Sequence, residues 1–310
     1  IKNTRTGPKS TTLVKCMRVP NVKSYLRNVL VNILLRFRFL RLGLRNRFTS
    51  SSILDPAGPT VSMTTYGQRL KNAHIVIETI AKGTVLPSRF MLYLDVEKDV
   101  LHPTKALKRL MKRGLEIHLT ENLGPHTKIQ WWIQNAPDFS RPHIVADDDI
   151  FYPNWWLERI LEAAQREPTS VMAYRAHRIV LNDDKKGLAP YESWPPGIKG
   201  PSHLNFATCV SGVLFPPNFL EIMRKAGDGF RETCPRQDDV WLTFQSIEHD
   251  IGIGLVTEKS LHFDILPGSQ EVALHSTNVF EQQNDVQLRQ TFLPSTYATL
   301  AEQELLLQHR

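Results

Sequence analysis

Between residues 60 and 147 the sequence alternates four times between a short apolar run of strand type and a segment with helical spacing. The apolar runs cover residues 60–66, 89–95 and 115–119, and the last one ends at Asp147. Strands that alternate with helices in this way favour a parallel sheet with helices packed on its faces. The sequence therefore predicts an α/β fold built on a mostly parallel sheet.

The last apolar run ends in three adjacent carboxylates, Asp147-Asp148-Asp149, which we name the first acidic motif. Adjacent like charges repel one another, so a fold gains little from holding them together unless a positive charge is nearby. The carboxyl end of a parallel strand is where α/β folds bind ligands, and a cation bound there would supply that charge. Oxygen ligands with no Cys or His beside them suit Mg2+ or Mn2+. The alternative is an acidic flank for the following helix, which the helix dipole favours.

A second acidic motif, Asp238-Asp239, stands directly before an apolar segment with helical spacing that contains Val240 and Trp241. The two carboxylates either belong to the same site as the first acidic motif or cap this helix, whose N-terminus attracts negative charge. Spacing alone leaves both interpretations open.

Charge is unevenly distributed along the 310-residue chain, whose formal net charge is +7. Residues 1–47 contain many Lys and Arg and no Asp or Glu, whereas the remainder is close to balanced. The hydrophobic content of 41% is enough for a sizeable core and excludes wholesale disorder. The cysteines, Cys16, Cys209 and Cys234, have no metal-ligand spacing and indicate a reducing compartment.

Residues 21–48 predict a basic helix in front of the main domain. At helical spacing apolar residues occupy most of its surface and four arginines share one stripe, Arg27, Arg38, Arg41 and Arg45, with Arg36 outside it. No charge-free run approaches the roughly 20 residues that span a bilayer, and arginines interrupt any apolar region of a secretory signal. A helix lying on an anionic membrane surface fits the pattern. A helix packed on the body or on a second subunit fits equally well, and a mitochondrial-type presequence is a third interpretation.

A long polar loop lies between two later apolar runs. The chain contains neither G-x-G-x-x-G nor G-x-x-x-x-G-K-[ST], so the common dinucleotide and P-loop fingerprints are absent. Apolar runs at residues 170–181 and 207–215 predict two further strands. Residues 182–206 between them are polar, rich in Pro and Gly, and contain Tyr191 and Trp194. A loop of this length inside a compact domain usually shapes a binding site.

The order of these features resembles nucleotide-sugar glycosyltransferases of the GT-A fold. A strand–helix series leads to Ala146 and the first acidic motif, and the second acidic motif then heads a helix. The similarity covers residues 60–285 and is greatest to the bacterial family-two-like enzymes that build surface polysaccharides. It implies a Rossmann-like GT-A domain at residues 59–290, between a basic leader and linker at 1–58 and a C-terminal helix at 291–310. It also implies a metal-dependent, inverting transfer of a sugar from a nucleotide-diphospho-sugar to a glycan or lipid-linked acceptor.

The resemblance assigns roles to both acidic motifs. It implies that Asp149 binds a divalent metal, Mn2+ or Mg2+, and that Asp147 lies at the metal and the nucleotide. Asp239 matches the general base that deprotonates the acceptor hydroxyl. Asp238 stands where glutamate is commoner in the family, which is a departure from its pattern. His275 matches a third metal ligand that some members supply, although a lone histidine is often structural.

The resemblance also assigns donor and acceptor positions. The nucleotide-binding edge of the fold corresponds to four residues that follow the first two strands, Thr64, Thr65, Tyr66 and Asp95. Lys128, near the start of a helix, is placed to meet nucleotide or phosphate, or is a solvated lysine. Three residues follow the first acidic motif on the side where family members bind acceptor, Arg175, His177 and Trp194.

The leader adds an expectation about location. We expect a cytoplasmic protein attached peripherally to the inner face of a membrane through residues 21–48. No nucleic-acid partner is expected, and the sequence is compatible with an oligomer. Two alternatives are a nucleotidyl- or phosphotransferase with a similar metal site, and a non-enzymatic module whose leader binds an anionic membrane or nucleic acid.

Overall fold

The computed structural model describes residues 22–269 and 283–308. Its first half contains α1 (Val22–Phe48), β1 (Thr60–Thr64), α2 (Ala73–Ile80), β2 (Arg89–Leu94), α3 (Glu97–Leu101), α4 (Lys105–Met111), β3 (Leu115–Leu119), α5 (Thr127–Asn135) and β4 (His143–Ala146). Its second half contains α6 (Trp156–Arg166), β5 (Val171–Ala173), β6 (Ala176–Arg178), β7 (Asn205–Ala207), β8 (Val213–Phe215), α7 (Pro217–Ala226), α8 (Phe230–Thr233), α9 (Asp238–Glu248), β9 (Ile253–Leu255), α10 (Gln283–Thr291) and α11 (Pro294–Gln308). Short 3-10 turns cover Gly67–Lys71, Gly124–His126 and Tyr191–Ser193.

Seven strands form one sheet in the order β3-β2-β1-β4-β8-β5-β9. Strands β3, β2, β1 and β4 are parallel, β8 is antiparallel to β4 and β5, and β9 is parallel to β5. The predicted α/β fold with a mostly parallel sheet is therefore confirmed. The chain moves outward from β1 through β2 to β3 and then returns to place β4 on the other side of β1. This reversal is a topological switch point, where open α/β sheets bind ligands beyond the carboxyl ends of their strands.

The sheet is covered on both faces, because successive residues of a strand point to opposite sides. In β2, Phe90 and Leu92 belong to a core that includes α2, α4 and α6, whereas Met91 and Tyr93 belong to a core that includes α5, α7 and α9. All four side chains are fully buried. Burial on both faces explains why β2 reads as a continuous apolar run rather than as an alternating pattern.

One side of α1 packs on the body. Leu42 is buried in the core that includes α2 and α4. Asn46 is also buried and donates a hydrogen bond of 3.2 Å to the buried carboxylate of Glu78, which pairs in addition with Arg45 and Arg113. Packing on the body, one of the alternatives for this helix, is thus observed for its inner side. No helix within the described ranges is long and apolar enough to cross a membrane.

Two segments that the sequence predicts as single strands each divide into two. Strands β5 and β6 divide residues 170–181, and β6 pairs with β7 in a separate two-stranded sheet. Strands β7 and β8 divide residues 207–215, with a turn at Ser211 and Gly212, whose φ angles are 75° and 103°. The apolar pattern continues through both breaks because most residues on either side are buried. Periodicity therefore does not detect where the backbone leaves one sheet for another.

Candidate active site

The first acidic motif follows β4 at the carboxyl end of the sheet, beside the residues that follow β1. Thr65 Oγ1 donates a hydrogen bond of 2.5 Å to Asp148 Oδ2. The backbone N–H of Asp147 donates to Tyr152 Oη at 2.8 Å. Because β1 and β4 are parallel neighbours, the segments that leave them meet at one edge of the sheet. The motif thus lies at the switch point where this fold class binds ligands.

Lys128 joins the two acidic motifs. Its Nζ lies 3.0 Å from Asp147 Oδ1 and 3.0 Å from Asp238 Oδ2, and its side chain is only 7% exposed. The two carboxylates hold the pKa of Lys128 well above its ordinary value, against the opposite effect of burial. A buried ammonium between two carboxylates stays charged, so Lys128 is an ion-paired centre of the site and not a solvated lysine.

Arg69 provides a second positive charge. It lies in the 3-10 turn that follows β1, and its Nη2 is 3.0 Å from Asp148 Oδ1 and also contacts Asp149 Oδ2. Its Nε is buried without a hydrogen-bond partner among the described residues. Arg69 therefore occupies one carboxylate oxygen of Asp149 that could otherwise bind a metal ion.

The second acidic motif opens α9 and faces the turn between β7 and β8. Asp239 Oδ1 accepts a hydrogen bond of 2.8 Å from the backbone N–H of Cys209. One ligand atom from each of Cys209, Asp238 and Asp239 lies within 4.8 Å of the others, so this group could hold a metal ion. Burial, with Asp238 adding to it, raises the pKa of the Cys209 thiol well above its ordinary value. The thiol is therefore neutral, and the carboxylates are the donors in this group.

The site carries more negative than positive charge. Lys128 and Arg69 form ion pairs with four of the five carboxylates of the two acidic motifs, and the fifth, Asp239, pairs with neither cation. Burial outweighs the Arg69 guanidinium and raises the pKa of Asp149 to about 7. Burial and the neighbouring Asp238 raise the pKa of Asp239 to about 7. The residual negative charge favours a bound cation.

The donor set fits Mg2+ or Mn2+. Asp147 and Asp149 offer carboxylate oxygens at one edge of the sheet, which are the ligands that these ions prefer. Asp238 Oδ2 is buried and forms an ion pair with Lys128, but it accepts no well-directed hydrogen bond from a described residue. Carboxylate oxygens that are not fully hydrogen-bonded are available to a further cation.

The remaining residues predicted for the nucleotide lie around this edge. Thr64 Oγ1 donates to the backbone oxygen of Tyr93 at 3.0 Å. Tyr66 is 36% exposed, with its ring centre 5.8 Å from the Arg69 guanidinium carbon. Asp95 accepts a hydrogen bond of 2.5 Å from Asn122. Of the predicted donor residues, Thr65, Lys128 and Asp147 meet at the acidic cluster, and contact with nucleotide stays a prediction for all of them.

The residues predicted for the acceptor lie around Tyr191. The His177 and Tyr191 rings meet edge to face at 5.5 Å between their centres. Trp194 is 5% exposed, and its ring centre lies 5.1 Å from that of Tyr191. Burial and Asp239 raise the pKa of Tyr191, whereas Arg175 acts in the opposite direction, so both charged groups lie near its hydroxyl. Trp194 thus supports the position of Tyr191, and Tyr191 is nearer to the second acidic motif.

Three parts of the site were not predicted from the sequence: Arg69, Tyr191 and the backbone N–H of Cys209. Arg69 could have been predicted from its position, because a residue soon after β1 faces the same edge of the sheet as the first acidic motif. The Cys209 amide had none, because its position depends on the turn between β7 and β8. His275 lies outside the described residues.

Searches for similar proteins find likeness in structure. A mannosyltransferase from Pyrobaculum calidifontis, solved with GDP-Man and Mn2+, aligns with 13% identity and a TM-score of 0.51 over 88% of this chain and 77% of that one. A CMP:2-keto-3-deoxy-manno-octonic acid synthetase complexed with CTP aligns with 11% identity and a TM-score of 0.43 over 73% of this chain and 99% of that one. Residues 1–349 of S. aureus TarS align with 12% identity and a TM-score of 0.41 over 64% of this chain and 58% of that one.

The likeness to the mannosyltransferase shows the fold class, a Rossmann-like sheet of the GT-A type. At 13% identity it shows the fold alone. No protein-family model matches the sequence, and no curated protein matches it significantly.

Proposed function

We propose that the protein is a metal-dependent, inverting glycosyltransferase that moves a sugar from a nucleotide-diphospho-sugar to a glycan or lipid-linked acceptor. The observation that carries this proposal is the meeting of both acidic motifs on the Nζ atom of Lys128. Sugar transfer needs a cation at the donor diphosphate and a base at the acceptor hydroxyl, close together. The two motifs can supply these groups from either side of Lys128. The surface-polysaccharide type is proposed from the sequence resemblance alone.

Asp147 and Asp149 would hold Mn2+ or Mg2+ at the carboxyl end of β4. The bound ion supplies positive charge that opposes the charge developing on the leaving diphosphate. Thr65 orients the motif through its hydrogen bond to Asp148. Lys128 fixes Asp147 in position by a buried ion pair and adds to the positive charge near the phosphates.

Asp239 acts as the general base. Its Oδ1 is fixed by the Cys209 N–H, and the second carboxylate oxygen can take the proton of the acceptor hydroxyl. The hydroxyl oxygen then bonds to the anomeric carbon, the bond from that carbon to the diphosphate oxygen breaks, and nucleoside diphosphate leaves. A base whose pKa is about 7 suits proton transfer near neutral pH.

The proposal is tested with Asp149→Ala and Asp239→Asn. After a thermal-shift screen of nucleotide-sugars with Mn2+ has identified the donor, both variants should release nucleoside diphosphate at least about 100-fold more slowly than the wild type. The exposed Asp183→Asn is the matched control and should keep wild-type turnover. Wild-type rates in Asp149→Ala or Asp239→Asn would reject the assigned roles. Donor hydrolysis that survives only in Asp239→Asn would indicate that acceptor activation is the lost step.

A nucleotidyltransferase is the second candidate. The observation that favours it is the presence of two cations, Arg69 and Lys128, against the acidic motifs, since such enzymes surround the attacking phosphate with basic groups. The two reactions release different products. Nucleoside diphosphate supports glycosyl transfer, and pyrophosphate supports nucleotidyl transfer.

We also propose that the protein works peripherally at the inner, cytoplasmic face of a membrane. This part of the proposal rests on the basic character of residues 21–48, whose arginines would contact anionic lipid headgroups.

A further inference from the structure

The C-terminal half of α1 has an inner face that packs on the body. Leu42 and Asn46 are buried, and Arg38 and Arg45 point to the body. Arg38 Nη2 donates to the backbone oxygen of Tyr152 at 3.0 Å. The arginine stripe that the sequence predicts to face a membrane is thus partly turned towards the protein.

The outer face of α1 is apolar. A helix turns about 100° per residue, which places Ile33, Leu40 and Leu44 on the side opposite Leu42. We name the apolar residues on that side the outer stripe: Leu30, Ile33, Phe37, Leu40, Leu44 and Phe48. Each of their side chains is between 56% and 75% exposed. An ordinary surface helix carries polar residues in this position, whereas here no part of the chain that the structure describes covers the apolar stripe.

Exposed arginines border the outer stripe on both sides. Arg36 and Arg47 lie along one edge and Arg41 along the other. The guanidinium carbon of Arg41 is 5.9 Å from the ring centre of Phe37, and that of Arg47 is 5.6 Å from the ring centre of Phe48. None of the three arginines forms a salt bridge with a residue inside the described ranges.

The charge pattern decides which partner fits. Residues 1–54 contain no Asp or Glu, so a second copy of α1 laid against the outer stripe would bring arginine against arginine with no acid to offset it. An anionic lipid surface matches both parts of the pattern, because its acyl region can bury the apolar side chains and its headgroups can bind the arginines.

We propose that the outer stripe and its bordering arginines dock flat on an anionic lipid bilayer. The surface differs from the arginine stripe predicted from spacing, since the lipid-facing residues are the apolar ones and the headgroup contacts come from Arg36, Arg41 and Arg47. The position of α1 on the body is fixed by the buried contacts of Glu78 with Arg45, Asn46 and Arg113. Docking would therefore also fix the orientation of the body relative to the bilayer.

The docked orientation places the candidate site close to the lipid. Arg38 contacts the backbone of Tyr152, and the Tyr152 hydroxyl accepts a hydrogen bond from the first acidic motif. Within the described ranges, Tyr152 thus bonds both to α1 and to the first acidic motif. If the proposed function is right, on which this step rests, the acceptor is a lipid-linked one rather than a free glycan.

The test is flotation of the full chain with vesicles of phosphatidylcholine, with and without phosphatidylglycerol. Wild type should bind only the vesicles that contain phosphatidylglycerol, and added salt should weaken binding. Replacing Leu40 and Leu44 with Ser should lower partitioning by about tenfold or more. Replacing Arg36 and Arg47 with Gln should lower it by about fivefold for each arginine.

Matched controls separate docking from general effects. Leu305→Ser with Leu306→Ser removes leucines that are 58% and 52% exposed on α11, and Lys225→Gln with Lys259→Gln removes two exposed positive charges outside α1. Both control pairs should keep vesicle binding. The proposal would be overturned if the control pairs lost as much binding as the α1 variants, or if the wild type bound pure phosphatidylcholine equally well. It would also be overturned if the wild type bound no vesicles and formed a dimer that Leu40→Ser breaks.

A second measurement keeps docking and catalysis apart. The outer-stripe variants should keep the wild-type melting temperature and its shift with Mn2+ and nucleoside diphosphates, because these side chains are exposed on the side of α1 that faces away from the body. Vesicle binding without any nucleotide-dependent shift would refute the proposed function and leave docking intact. A nucleotide-dependent shift in melting temperature without vesicle binding would refute docking and leave the proposed function intact.

Discussion

At the scale of single residues, the site is organised by two cations that form ion pairs with four of its five carboxylates. Lys128 is buried between Asp147 and Asp238, with its side chain only 7% exposed. Arg69 is different, because it pairs with Asp149 from a surface turn. A metal ion that binds Asp149 through Oδ2 would therefore compete with Arg69, whereas Lys128 can stay in place.

We predict that Arg69→Met tightens binding of Mn2+ alone. Removing the competing guanidinium frees a carboxylate oxygen and makes the site more negative. Losing a charge-assisted pair worth about 1.5 kcal/mol corresponds to roughly tenfold in affinity. Titration of Mn2+ against each protein, followed by the paramagnetic resonance of the free ion, measures the change.

The matched control is Lys71→Met. Lys71 is exposed on the same 3-10 turn, so this variant changes the net charge equally without touching the first acidic motif. Its Mn2+ affinity should change by less than about twofold, because exposed charges are screened by salt. The idea fails if Arg69→Met binds Mn2+ no more tightly than Lys71→Met does.

At the scale of elements, the turn between β7 and β8 connects the second acidic motif to the core. Trp156 Nε1 donates to the backbone oxygen of Ser211 at 2.9 Å, and the same turn supplies the Cys209 N–H to Asp239. A Cβ atom on Gly212 would lie 2.6 Å from the Trp156 ring, closer than such atoms can approach. Close packing of the turn on α6 thus requires glycine at this position.

We predict that Gly212→Ala lowers the free energy of unfolding by about 2–4 kcal/mol, since it combines a steric overlap with a φ of 103°. Gly200→Ala isolates the backbone contribution, because Gly200 has a φ of 79° and nothing within 4 Å of its added Cβ. That variant should lose only about 1 kcal/mol. Urea unfolding with an unchanged slope measures both, and similar losses in the two variants would argue against the overlap with Trp156.

At the scale of the whole molecule, buried histidines link stability to pH. His143 is fully buried at the start of β4, within 2.8 Å of Thr60 Oγ1 and 2.7 Å of Ser62 Oγ. Burial, with a smaller contribution from Arg89, lowers its pKa to about 3. Burial also lowers the pKa of His126 to about 4. Both side chains are neutral in the folded protein and become charged more readily on unfolding.

We predict that stability falls as the pH drops below about 6.5, the ordinary pKa of an unfolded histidine. The unfolded chain then binds a proton that folded His143 binds only near pH 3, so His143 alone costs about 2 kcal/mol by pH 5. The raised pKa values of Asp149 and Asp239 act in the opposite direction, because they favour the folded state at low pH. The informative quantity is therefore the difference between variants.

His143→Gln should be less stable than the wild type at pH 7 and should lose less stability between pH 7 and pH 5. The exposed His102→Gln supplies the control for removing a histidine without removing a buried one. Urea midpoints at the two pH values measure the effect. If His143→Gln lost as much stability as the wild type between pH 7 and pH 5, this histidine would not set the pH dependence of stability.

Local patterns in the sequence predicted the fold class and the first four strands of the sheet. The predicted strand-type runs place β1 to β4 within a residue or two of their observed bounds, and β2, which is buried on both faces, is continuously apolar from Phe90 to Leu94. It also identified both acidic motifs, since adjacent carboxylates at element ends are a local feature. It did not detect the break within residues 170–181 or the one within residues 207–215, which depend on backbone turns.

The tertiary structure alone decided which groups meet. Lys128 and Arg69 reach the acidic motifs because parallel strands bring distant segments of the chain to one edge of the sheet. Local sequence spacing does not show that these segments meet. It also decided the direction of α1. Spacing shows that its arginines and apolar residues segregate, but only the contact of Asn46 with Glu78 fixes which side faces the body. A helix is defined by its own residues, whereas its orientation is set by what it packs against.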